Sequence, residues 1–158
     1  MLAFACAKIF LFTINYSCMK QSQITIQTPG RGYLLVTKSI EQALAQMASH
    51  DNGLLHIFLQ HSSASLTINE NADPTVRQDF KAFEEHLVPR SFPYQHDYEG
   101  NDDMPAHIKA VTIGSSLSLP ITKGRLALGI WQGVYLGEHR NKAGSRNLIV
   151  TLNGQQEE

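Results

Sequence analysis

The sequence predicts an α+β fold, a single domain of mainly antiparallel sheet or sandwich with two or three helices. Three observations carry this. Short apolar or alternating runs recur at 23–27, 33–37, 54–59, 65–68, 117–121, 125–136 and 147–152, with the length and period of strands. Two longer stretches place apolar residues at helical spacing. The chain has 158 residues, 42% hydrophobic and 17% charged, which supports one core and excludes a disordered chain.

The first eighteen residues, MLAFACAKIFLFTINYSC, are apolar with one charge, Lys8. A secretory signal carries its positive charge ahead of the apolar run, whereas Lys8 splits this one. The remainder is too short to span a bilayer, which takes about 20 apolar residues. A weak signal peptide, an apolar extension and a start codon assigned too early are the readings. The abrupt change of composition at Met19-Lys20-Gln21 favours Met19 as the start. Residues 1–18 are thus expected to lie outside a domain spanning 19–158.

Ile24 and Ile26 alternate with Gln23, Thr25 and Gln27, as in a half-buried strand. Pro29-Gly30-Arg31-Gly32 reads as a turn, so YLLVT at 33–37 suggests the second strand of a hairpin. Ile40, Ala43, Leu44 and Met47 mark an amphipathic helix, with Ser39 and Gln42 as a capping box. LLHIFL at 54–59 reads as a central strand, and 65–68 continues extended. Asp73 is a good N-cap and Pro74 a good first helical residue. Val76, Phe80, Phe83 and Leu87 then share one helical face.

Residues 90–106 show no period, and a loop this long in a compact domain is usually functional. HIKAVTI at 107–113 fits a helix or a strand. Strands follow at 117–121, 125–136 and 147–152. Gly129 and Gly133 suggest bulges or close backbone approach.

The formal net charge is −1, so nothing in the overall balance marks a partner among nucleic acids or anionic membranes. Both cysteines, Cys6 and Cys18, fall in the first eighteen residues. The rest has no disulfide framework, thiolate nucleophile or cysteine zinc site, so any metal there is held by His, Asp and Glu. No Walker A, GxGxxG or GxSxG motif occurs.

Two segments gather chemistry. His61-Ser62-Ser63 follows a strand and leads to Asn69, Glu70 and Asp73. Asp73 serves as a cap or as an acid. The second, HDYEGNDD at 96–103, puts His96, Glu99, Asn101 and Asp103 in one acidic stretch ahead of His107. Carboxylates packed this closely repel unless a cation offsets them. His61, His96 and His107 could close on one divalent ion with a position open. A solvated acidic loop is the alternative. His56 reads as a core residue. Lys109, Arg125, Arg140, Lys142 and Arg146 are available for an anion, with Ser115 and Ser116.

HSSASLTINENADPTVRQD, HDYEGNDDMPAHIKA and GRLALGIWQGVYLGEHR resemble the three signature blocks of the YjbQ family of secondary thiamine-phosphate synthase-like proteins. The resemblance covers about 23–154. It implies a trimeric α+β domain with a metal site, His61, His96 and His107 matching the family's histidines. Asn69, Glu70 and Asp73 match its first block; Glu99, Asn101 and Lys109 its second; Trp131, Gln132 and Glu138 its third. Arg140 matches one branch. Ile130 stands where the family has Thr, and Ser62 keeps a hydroxyl where Thr is common.

The function so implied is joining of a hydroxymethylpyrimidine pyrophosphate to a thiazole phosphate, in the cytoplasm. The cofactor would be zinc, magnesium or manganese. Glu70 or Asp103 would handle the proton and Lys109 a phosphate, with Ser116 and Arg140 among the substrate contacts. The alternatives are a non-catalytic trimer that binds a metal or metabolite, and a metal-dependent hydrolase.

Overall fold

Alternating polar and apolar residues build two antiparallel sheets in the computed structural model, which describes residues 18–47, 51–142 and 144–155. In chain order the elements are β1 (Cys18–Thr28), β2 (Gly32–Leu35), α1 (Thr37–Met47), β3 (Asn52–Leu59), β4 (Ala64–Glu70) and α2 (Pro74–Leu87). They continue as α3 (Asp103–Ile113), β5 (Ser116–Thr122), β6 (Arg125–Leu126), β7 (Gln132–Glu138) and β8 (Gly144–Gln155). One sheet has the order β1-β8-β3-β5-β6 and the other β2-β7-β4. The predicted α+β class is the observed one. Of the extension expected at 1–18, residues 1–17 lie outside the described residues. Cys18 already belongs to β1, paired with Gly154.

The expected β1–β2 hairpin does not form. β1 pairs with β8 and β2 with β7. Gly30 and Gly32 sit at φ 130° and 147°, and this turn sends the chain from one sheet to the other. The run expected as one strand at 125–136 is split, because Gly129 N–H donates to Gln132 Oε1 and turns the backbone between β6 and β7. Lys123 and Gly124, with φ of 52° and 71°, close the tight β5–β6 hairpin.

The core lies between the sheets. Leu55, Ile57 and Leu59 of β3 and Leu148, Val150 and Leu152 of β8 face Leu66, Val134 and Leu136. Ile40, Ala43, Leu44 and Met47 of α1 pack into it, as their spacing predicts. The helix begins at Thr37, so Ser39 lies within its first turn and not at the cap. His56 points to the outer face of its sheet, with Nδ1 3.0 Å from Ser118 Oγ, and is not a core residue.

Asp73 caps α2, accepting from Thr75 N–H at 2.8 Å. The expected apolar face of this helix is only half used. Val76 and Phe80 are partly buried, Phe83 and Leu87 are exposed, and Glu84 is buried in their place. Residues 107–113 resolve as helix, within α3. No helix among the described residues is long and apolar enough to cross a membrane.

Candidate functional site

Three donor atoms, one each from His96, Asp103 and His107, lie within 4.8 Å of one another. Asp103 and His107 are four residues apart in α3, which puts them on one helical face. His96 arrives from the loop before that helix, and its Nε2 lies 2.8 Å from Asp103 Oδ2. His107 Nε2 lies 3.4 Å from the same oxygen. The other ring nitrogen of His107, Nδ1, donates to the Ser62 carbonyl oxygen at 3.0 Å. A carbonyl only accepts, so Nδ1 carries a proton, and Nε2 is the nitrogen that supplies the lone pair whenever the ring is neutral.

Arg140 holds the cluster from behind. Its guanidinium pairs with the second oxygen of Asp103, Oδ1, and lies 3.4 Å from Asp102 Oδ2. It also donates to the Glu99 carbonyl oxygen at 2.9 Å. Asp102 Oδ2 accepts from Asn141 N–H at 2.7 Å, which ties the start of α3 to the β7–β8 turn. Burial pushes the Asp102 carboxyl up, but the Asn141 N–H and the Arg140 charge outweigh it and hold its pKa below the usual range. Asp97, Glu99, Asp102 and Asp103 outnumber the arginines near them, Arg140 and, toward Asp102, Arg90, which leaves a negative surplus that favours a cation.

The structure does not bring His61 into this set. His61 Nε2 accepts from Asn147 N–H at 2.9 Å, and Nδ1 faces Arg146 Nη1 at 3.2 Å. Its lone pair is therefore used by the backbone of β8. Burial and the Arg146 charge lower its pKa, against the Glu138 charge. Its contribution is indirect, since it anchors the segment whose next residue, Ser62, orients His107. Asp103, expected as a proton-handling acid, is the third residue of the cluster with His96 and His107.

Other expected residues have partners within the fold. Lys109 lies two residues beyond His107, hence about 200° round the helix. It is buried and donates to Glu85 Oε1 at 2.7 Å. Glu138 is buried in a two-bond pair with Arg146, at 2.7 Å each. Glu70 Oε1 accepts from Asp73 N–H at 3.0 Å, and Asn69 Oδ1 from Glu70 N–H at 2.8 Å. These residues end β4, about 20 Å from its start at Ala64, so Asn69, Glu70 and Asp73 stand apart from the histidines.

Gln132 pairs with Glu70 at that far end, next to the exposed Trp131 and Ile130. Ser116 opposes Phe58 on the sheet edge toward α3, and Asn101 is exposed ahead of that helix. His139, in the EHR tripeptide at the end of β7, could by sequence support the site or lie on the surface; it is buried, and its Nε2 lies 2.9 Å from Ser65 Oγ.

A groove of about 600 Å³ has His61 and Ser62 in its wall, and it meets His107 only through Ser62, whose carbonyl oxygen accepts from that ring. Ser62, Ala110 and Val111 line it, and the last two follow His107 by three and four residues on the same helical face. Phe58 and Ser115 form its opposite side.

The YjbQ family model, described as UPF0047 protein YjbQ-like, matches residues 22–155. A UPF0047 protein YjbQ from Escherichia coli O157:H7 is 53% identical over 135 residues, 85% of this chain and 98% of its own. A UPF0047 protein of a Synechocystis strain is 43% identical over 136 residues, 85% of this chain and 92% of its own. The crystal structure of an uncharacterized member of the yjbq/upf0047 family from Clostridium acetobutylicum is similar with a TM-score of 0.75. It is 32% identical and covers 83% of this chain and 98% of its own.

A Sulfolobus solfataricus structure, described as a YbjQ-like protein of unknown function, shares the fold at a TM-score of 0.80 and 23% identity. That match covers 89% of this chain and all of the other. These descriptions carry no thiamine-phosphate synthase activity and overturn the expectation of one. By its matching sequence and fold, the chain belongs to the YjbQ family of UPF0047 proteins.

Proposed function

We propose that this protein binds one divalent cation through His96, Asp103 and His107 and presents it to a small anionic ligand in the adjoining groove. The observation that carries this is the convergence of three donor atoms within 4.8 Å, inside an acidic surplus. The residues fit a metal by their own chemistry. Asp103 offers Oδ2 inward while Arg140 occupies Oδ1, and the Ser62 carbonyl fixes His107 with Nε2 free. His96 turns the same nitrogen to the site.

Two imidazoles and one carboxylate suit zinc, iron or manganese better than magnesium, which prefers oxygen ligands. Such a cation supplies Lewis acidity to an oxygen of the ligand. Arg140 is committed to carboxylates, so it holds Asp103 in place and does not itself capture the anion. A small phosphorylated compound is the ligand class we favour. The groove's Ala110, Val111 and Phe58 would hold its apolar part. We also propose the homotrimer that the family resemblance implies, to be checked by light scattering against the 17.6 kDa chain.

Calorimetric titration of metal-free protein with zinc, manganese and magnesium tests the site. One zinc per chain is expected, bound more tightly than magnesium. His96→Ala and His107→Ala should each weaken zinc at least tenfold. Unchanged zinc affinity in both variants would overturn the assignment.

A further inference from the structure

Helix α2 is packed inside out at its C-terminal half. Glu84 is 7% exposed, whereas Phe83 and Leu87 are 61% and 59% exposed. Burying a carboxylate while two large apolar side chains face solvent is unfavourable on both counts. Beside these residues lies a cavity of about 280 Å³ between α2 and α3. Phe80, Phe83, Leu87 and Ile113 wall it, and Glu84 and Lys109 contribute its polar atoms.

The polar groups there are incompletely matched. Lys109 turns its Nζ to Glu85 Oε1 at 2.7 Å, and Arg31 pairs with the same oxygen at 3.0 Å. Among the described residues, no cation forms an ion pair with Glu84. The buried Tyr33 hydroxyl faces Glu84 but makes no hydrogen bond of good geometry. Buried polar groups left this way call for a partner. The cavity offers apolar walls for one end of a molecule and, for the other, a carboxyl that has no close ion pair, although the Lys109 and Arg31 charges lie near it.

We propose that this cavity is a second binding site, for a small aromatic or branched-alkyl amine whose nitrogen pairs with Glu84. The apolar body covers Phe83 and Leu87, and the ammonium gives Glu84 the ion pair that the chain leaves it without. The site shares no residue with the His96–Asp103–His107 set, so its test stands apart from the metal assignment.

The probes are benzylamine and benzyl alcohol, titrated into the ¹⁵N-labelled full chain and followed by amide shifts. Benzylamine should give saturable shifts at Thr67, Glu84, Lys109 and Ile113 and bind at least tenfold more tightly than the alcohol. Glu84→Gln should abolish that preference while the spectrum stays folded. If Glu84→Gln does not fold, Thr112→Trp, at an exposed position on the rim, should block both probes. Absence of saturable shifts, or equal preference in wild type and Glu84→Gln, would overturn the proposal. So would undiminished binding in Thr112→Trp.

Discussion

The Nδ1 atom of His107 lies 3.0 Å from the carbonyl oxygen of Ser62, and this one bond decides which face of the imidazole is available. Ser62 is in turn fixed by its neighbour His61, which is anchored to Asn147 and flanked by Arg146. A strand end thereby sets the orientation of a side chain on a helix 45 residues later.

His107 should therefore populate the Nδ1–H tautomer in the neutral state. Long-range ¹H–¹⁵N correlation spectra at pH 8 distinguish the two nitrogens directly. A dominant Nε2–H form would contradict the orientation described.

Arg140→Met should destabilise the metal-free protein by about 3 kcal/mol, because it leaves the buried Asp103 without its counter-charge. Urea unfolding measures this. Zinc should restore more stability to the variant than to the wild type, since a cation on Oδ2 replaces part of the lost positive charge. Equal stabilisation of both proteins by zinc would argue against a cation at Asp103.

His139 gives the fold a pH dependence. Burial, then the nearby Lys109 charge, lower its pKa from 6.5 to about 4; Arg146 and Arg31 add to this and Glu138 opposes it. The unfolded chain then binds the extra proton first, between about pH 6.5 and 4. Stability from this group is full above pH 6.5 and is lost as the pH falls toward 4, on the order of 3 kcal/mol in total. His139→Gln should flatten that part of the urea-midpoint profile. An unchanged slope would show that other groups carry it.

Local pattern was enough for the elements whose burial is set by their own period. The spacing of Ile40, Ala43, Leu44 and Met47 names the buried face of α1, and Asp73-Pro74 marks the start of α2. The pattern misleads where partners are distant. YLLVT lies close enough to β1 to suggest a hairpin, yet each strand pairs with a segment about 100 residues or more away. Phe83 and Leu87 have helical spacing but face outward, because the contacts across from α2 include Lys109 and Tyr33, which draw in Glu84.

At the site, the acidic stretch bracketed by His96 and His107 was visible in sequence. Which third residue joins them was not. That depends on α3 beginning at Asp103, which aligns Asp103 with His107 by one turn. His61 is drawn off by an N–H at Asn147, a partner that only the strand register reveals.

The register of β8 has a consequence for how the chain comes to be folded. β8 follows every other element, yet it is inserted between β1 and β3 and pairs along both. Until residues 144–155 have left the ribosome, β1 has no neighbour and β3 lacks one edge, so the apolar side chains of both wait uncovered. Closing pairs such as Ile24 with Leu148 spans most of the sequence, which makes assembly of this sheet slow and all-or-none. The nascent protein is then at its most aggregation-prone just before synthesis of β8 ends, and exposed strand edges make a chaperone most useful at that moment.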